Sequence, residues 1–109
     1  MKIYLSPVDG LPSVQLAKQG DTLIINGENF DFGALREGNE LPTEAISSDL
    51  FYAPVQRIEG ELVISIFLPL SAKYSQAQAF PDPLIGVLDG PIELPQAPVE
   101  PDVIQEIQA

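Results

Sequence analysis

Histidine and cysteine are both missing from this chain. Without histidine, the commonest general base and metal ligand near neutral pH is gone. Without cysteine there is no thiolate nucleophile, no disulfide framework and no cysteine-based zinc site, and the redox compartment is left open. Ser-His-Asp and Cys-His catalysis are excluded together. Bases are scarce too: Lys2, Lys18, Arg36, Arg57 and Lys73 stand singly against 16 acids, for a net charge of −11. Binding to nucleic acid requires clustered Lys and Arg to displace counterions from phosphate, so the charge argues against that partner and against an anionic membrane surface. No apolar run approaches the roughly 20 residues that span a bilayer. Pro7 interrupts the N-terminal segment before a signal-peptide core could form. The expectation is a soluble protein that stays in the cell that makes it, unless it leaves inside a larger assembly.

The rest of the composition, 109 residues with 45% hydrophobic and 19% charged, is that of one globular domain with a real core. Alternating apolar and polar residues predict a first strand in KIYLSPV, from Lys2. A three-stranded meander is expected over residues 13–32, with Phe30 and Phe32 on one side of its last strand. Its second turn is Asn26-Gly27, the pair that most readily takes the positive φ of a tight hairpin. Residues 33–42 read as loop. Thr43 then stands where a helix N-cap would, and Ile46 and Leu50, four apart, suggest a helix of at most two turns, stopped by Pro54. A hairpin follows, Val55 to Ile58 and Glu61 to Leu68, turning at Glu59-Gly60. Residues 71–80 read as an extended or partly helical crossover. Two more short strands, Leu84 to Leu88 and Pro91 to Leu94, flank Asp89-Gly90.

Beyond Pro95 the character changes. Residues 80–109 hold six acids, no base and six of the eleven prolines, whereas the first 79 residues hold ten acids and five bases. That composition predicts an acidic, Pro-rich flexible tail over 96–109, after a β domain over 1–95. Val103, Ile104 and Ile107 could form a short amphipathic turn at its end, a candidate protein contact.

The remaining routes to chemistry are weak. Carboxylate pairs could serve glycoside hydrolysis, but that requires a substrate cleft, and hairpins this short seldom build one. Asn26, Glu28, Asn29 and Asp31 alternate like part of a Ca²⁺ loop but lack its glycine and terminal glutamate, so they read as a hairpin turn. GENFDFGALREG lacks the Gly-Lys-Ser/Thr ending of a phosphate loop. No cofactor or metal is expected, and no enzyme activity. Among the aromatics, Phe51-Tyr52 before Pro54 could form a contact surface; Phe51 reads as core before contact, and Tyr52 fits either.

GELVISIFLPL, residues 60–70, poses a question of its own. Leu62, Ile64, Ile66 and Leu68 form one apolar face, but Val63 and Phe67 make the other nearly as apolar. Either the short helix and the 71–80 crossover cover that second face, or another chain covers it or a sheet edge.

Taken in order, KIYLSPV, GDTLIINGENFDFGAL, ELPTEAISSDLF, VQRIEGELVISIFLPL and FPDPLIGVLDGPIELP resemble small uncharacterised proteins encoded in the tail and tail-fibre gene modules of tailed bacteriophages and prophages. The likeness covers about residues 1–95 and carries no catalytic motif. It implies a non-enzymatic tail-associated structural, accessory or assembly protein. Its partners would be other tail or tail-fibre proteins, or itself, in the host bacterial cytoplasm during assembly or in the virion tail. A small phage-encoded inhibitor of a host protein is the alternative. The fold expected is mainly β: a small antiparallel sandwich or barrel of about six to eight short strands, with one short helix and an extended C-terminal tail.

Overall fold

A computed structural model describes residues 1–70 and 74–95. The chain is mainly β, with two four-stranded sheets packed face to face. Four strands are named first: β1 (Lys2–Asp9), β2 (Leu16–Gln19), β3 (Thr22–Ile25) and β4 (Glu28–Asp31). They are followed by β5 (Glu40–Leu41), β6 (Val55–Ile58), β7 (Glu61–Leu70) and β8 (Gly90–Ile92). One sheet has the order β1-β7-β6-β5 and the other β4-β3-β2-β8.

The meander forms as its turns require. Asn26 and Gly27 have φ of +50° and +83°, the pair of positive values that a two-residue hairpin turn needs to match strand twist. Glu59 and Gly60, at +52° and +79°, repeat that geometry between β6 and β7. Glutamate is an unusual first residue there, since the left-handed region crowds a Cβ. The Glu37 carboxylate compensates by accepting hydrogen bonds from the Glu59 and Gly60 N–H groups, both at 2.6 Å.

One ladder departs from the antiparallel expectation: β1 and β7 run parallel, Ile3 beside Ile64 and Leu5 beside Ile66. Among the described residues all other strand pairs are antiparallel. A parallel pair cannot be closed by a turn. Here the whole meander, β5 and β6 lie between the two strands, so the crossover includes three strands of the second sheet.

The core fills the space between the sheets. Ile3 and Leu5 from β1, Val55 from β6, and Leu62, Ile64, Ile66 and Leu68 from β7 face Leu16, Leu23, Ile25 and Phe30 of the opposite sheet. Phe32, Ile46 and Phe51 close one side. The rings of Phe30 and Phe51 lie 5.5 Å apart, and those of Phe32 and Phe51 6.0 Å apart, edge to face. At the end where β6 turns into β7, Arg57 clasps the two sheets together. Its guanidinium donates to the Leu35 and Phe32 carbonyls at 2.6 and 3.2 Å, to Asp21 Oδ2 at 3.1 Å and to the Gly60 carbonyl at 3.4 Å.

Two expected elements take other forms. The helix after Pro42 is a single 3₁₀ turn, Thr43–Ala45, with Pro42 rather than Thr43 at its N-cap. Ile46 is already extended, and its side chain is buried in the core. The expected strand Leu84–Leu88 is absent; Leu84 alone pairs with Ile3, by N–H···O bonds of 2.9 and 2.8 Å. Within the crossover, Gln76–Ala79 forms one helical turn (α1), started by a reciprocal Ser75–Gln78 capping box. Residues 71–73 and the tail expected at 96–109 lie outside the described residues.

The sheet edges are blunted. Ile3 turns its N–H and C=O away from β7, and two residues further along that row Pro7 has no N–H to offer. On the other outer strands, β5 is two residues long, β8 carries Pro91, and β4 is four residues long and begins and ends in acids.

Candidate protein-contact surface

The second face of β7 is half-covered from within the chain. Tyr52 lies on Phe67, ring centroids 5.3 Å apart, and stays 41% exposed. Val63 lies in an open hollow of about 380 Å³ between Lys2 and Tyr4 of β1 and Gln56 and Ile58 of β6, and Ile58 is 49% exposed. Helix α1 sits by Leu68 and Pro69, at the far end of β7, rather than over Val63. The expected cover by helix and crossover is therefore supplied instead, over Phe67, by Tyr52.

Phe51 and Tyr52 are split by the pleat. The Phe51 backbone bridges to Ile66, and its ring, 5% exposed, turns into the core; it is not available for surface contact, which corrects its candidacy. Tyr52 takes the opposite face, as its alternation with Phe51 requires. The other candidates, Val103, Ile104 and Ile107, lie outside the described residues.

Among the described residues, the most exposed of the large apolar side chains stand elsewhere. Phe80, Ile85 and Leu88 are 76%, 70% and 82% exposed along the segment joining α1 to β8. This ridge is fixed at three points. The capping box of α1 holds its start, the Ile3–Leu84 backbone pair its middle, and Asp89 its end. Asp89 Oδ1 accepts from Lys18 Nζ at 2.8 Å and from the Gly20 N–H at 3.1 Å. The Lys18 hydrogen bond first, and that amide second, hold the Asp89 carboxyl below the usual range for aspartate. The sequence placed Phe80 at the end of the 71–80 crossover and read Leu84–Leu88 as a strand, which would have buried alternate side chains. The proline at 83 and Gly86, at φ +64°, are the local signals against that reading.

Among the carboxylates, Asp21, Glu59 and Glu61 border a hollow of about 370 Å³. Asp21 is held by Arg57, and Glu61 lies 3.4 Å from the Met1 ammonium. In the suspected Ca²⁺ stretch, Asn26 Oδ1 accepts from the Gln15 N–H and Asp31 Oδ1 from the Gly33 N–H, each at 2.8 Å. Among the described residues no group of three or more acids is placed to hold a metal ion. No family model matches this chain, and neither a curated protein nor a solved structure is similar to it.

Proposed function

We propose that this chain is a non-enzymatic, tail-associated structural, accessory or assembly protein of a tailed phage or prophage, acting through protein contacts centred on the Phe80–Leu88 ridge. The phage context rests on the sequence resemblance given above. The contact role is supported by one observation: three large apolar side chains stand in solvent on a segment tied down at both ends. Large exposed apolar groups gathered on one segment mark docking sites, and a segment already fixed loses little freedom on binding.

The ridge also indicates its counterpart. Residues 80–109 contain no base, and Asp82 and Glu93 are exposed beside the apolar groups. A fitting partner has an apolar groove rimmed by Lys or Arg. Full burial of the three side chains would contribute roughly 5–9 kcal/mol of transfer free energy. That is comparable to the cost of association, so flanking contacts decide the affinity. Assembly would take place in the host bacterial cytoplasm, with the virion tail as a further location. Mass spectrometry of purified virions and of tail intermediates tests the assignment. The chain, or a stable complex of it with a tail or fibre protein, is the expected finding. Deletion that leaves fully formed, infectious tails would contradict it.

The net charge of −11 favours one second reading, an inhibitor docking on a basic patch of a host protein. A mimic of that kind needs carboxylates spread along one folded face, whereas more than half of the net charge here falls after residue 79. A pull-down from host cells lacking phage separates the two.

A further inference from the structure

Asn26-Gly27 carries a chemistry that the turn between β3 and β4 does not use. It is the one Asn-Gly step in the chain, since Asn29 and Asn39 precede Phe30 and Glu40. The backbone nitrogen that follows an asparagine is a nucleophile within reach of its side-chain amide carbon. Glycine, having no Cβ, shields that nitrogen least. The Gly27 N–H makes no hydrogen bond among the described residues, and a Cβ built there would meet nothing within 4 Å. Both residues are exposed to water.

The closed hairpin nevertheless holds the reacting atoms apart. Ring closure requires the Gly27 nitrogen to eclipse the Asn26 Cβ about the Cα–C bond. Asn26 has φ of +50°, in the left-handed region. There ψ is about +30 to +60°, which sets the next nitrogen nearly trans to Cβ. Asn26 is also hooked twice to Gln15. Its N–H donates to the Gln15 carbonyl at 2.9 Å, and its Oδ1 accepts from the Gln15 N–H at 2.8 Å. Swinging the amide toward Gly27 breaks the second bond, and rotating ψ breaks the turn. Reaction therefore waits on local opening at this end of the sheet.

We infer that Asn26 is a site of spontaneous deamidation, protected while the hairpin is closed and exposed each time it opens. The Gly27 nitrogen gives its proton to solvent hydroxide and bonds to Asn26 Cγ. The bond from Cγ to the amide nitrogen breaks, and ammonia leaves with a proton from water. Water then opens the succinimide at either carbonyl, giving aspartate or isoaspartate with no change of oxidation state. Aspartate keeps an acceptor for the Gln15 N–H. Isoaspartate carries the main chain through Cβ, and so lengthens a turn whose two residues must match the strand twist. That product turns a transient opening into a permanent one. The inference stands on the turn alone and does not depend on the phage reading or the ridge.

Peptide mapping of the full chain by mass spectrometry, with isoaspartate resolved by chromatography, tests it. The chain is incubated at one neutral pH and temperature, folded in buffer and unfolded in guanidinium chloride. In the unfolded chain Asn26 should convert first, ahead of Asn29 and Asn39. In the folded chain the same site should convert at least about tenfold more slowly. Gln15→Pro removes the donor to Oδ1 and leaves the Gln15 carbonyl. Once a thermal melt shows that variant folded, its folded-state rate should rise about fivefold, the factor of one hydrogen bond. Should it not fold, the two states of the parent decide the matter. Equal rates in those states, earlier conversion at another asparagine, or no conversion in the unfolded chain would overturn the inference. So would a folded Gln15→Pro variant that converts no faster than the parent.

Discussion

Arg57 shows how much of this fold depends on a single polar side chain. It sits two residues from the buried Val55, on the face that turns inward, and its five donors reach two carbonyls and one carboxylate from the opposite sheet and its loop. Only 15% of the side chain is exposed, so each lost bond leaves a poorly hydrated acceptor. Arg57→Ala should lower the unfolding free energy by about 2–3 kcal/mol in urea titrations. Arg57→Lys should recover less than half of that, because an ammonium cannot reproduce the fork. The signal was present in the sequence, since period two puts residue 57 on the Val55 face; composition alone presents it as one more isolated base. Asp89 gives a residue-scale test of a different kind. Its folded-state pKa is depressed, so the stability it contributes is complete above the unfolded value of about 3.9 and is lost as pH falls through the lower folded value. The difference in Tm between the parent and Asp89→Asn should be full at about pH 6 and shrink below about pH 4. A difference independent of pH would show that the Lys18 and Gly20 contacts do not bear on stability.

At the scale of elements, the hairpins were legible because their causes are local. Asn26-Gly27 and Glu59-Gly60 adopt the positive φ values their turns demand, and the alternation along β7 places Leu62, Ile64, Ile66 and Leu68 inward. The parallel β1–β7 pair was not legible, since its partners lie about sixty residues apart and leave no mark on the sequence between them. The short helix was over-read for a physical reason. Ile46 and Leu50 have helical spacing, but Ser47, Ser48 and Asp49 compete for backbone hydrogen bonds, and burial of Ile46 favours the extended backbone it adopts. The inward and outward faces predict opposite responses to one substitution. Ile64→Asp should abolish soluble folded protein, by placing an unpaired charge where exposure is 0%. Leu88→Asp should leave the urea midpoint within experimental scatter, because its side chain is already in water. Circular dichroism and urea denaturation of both variants check the assignment of faces.

For the whole molecule, two surfaces emerge from one rule: apolar groups that the small core cannot enclose stand in the open. On the sheet face they are spread across three strands; on the ridge they are gathered in an acidic segment held by its ends. Neither surface was legible residue by residue. Phe51 and Tyr52 looked like a pair in sequence, and the pleat sends them to opposite sides. Phe80, Ile85 and Leu88 looked like parts of a crossover and a strand, and only the missing strand partner leaves them exposed. In the proposed function the ridge meets another protein. A photo-reactive amino acid at position 88, activated in the cells that naturally produce this chain, should yield one discrete adduct, with a protein that presents an apolar groove edged by Lys or Arg. The same probe at the exposed position of Glu44 should yield none. No adduct at position 88, or the same set of adducts at both positions, would contradict the account.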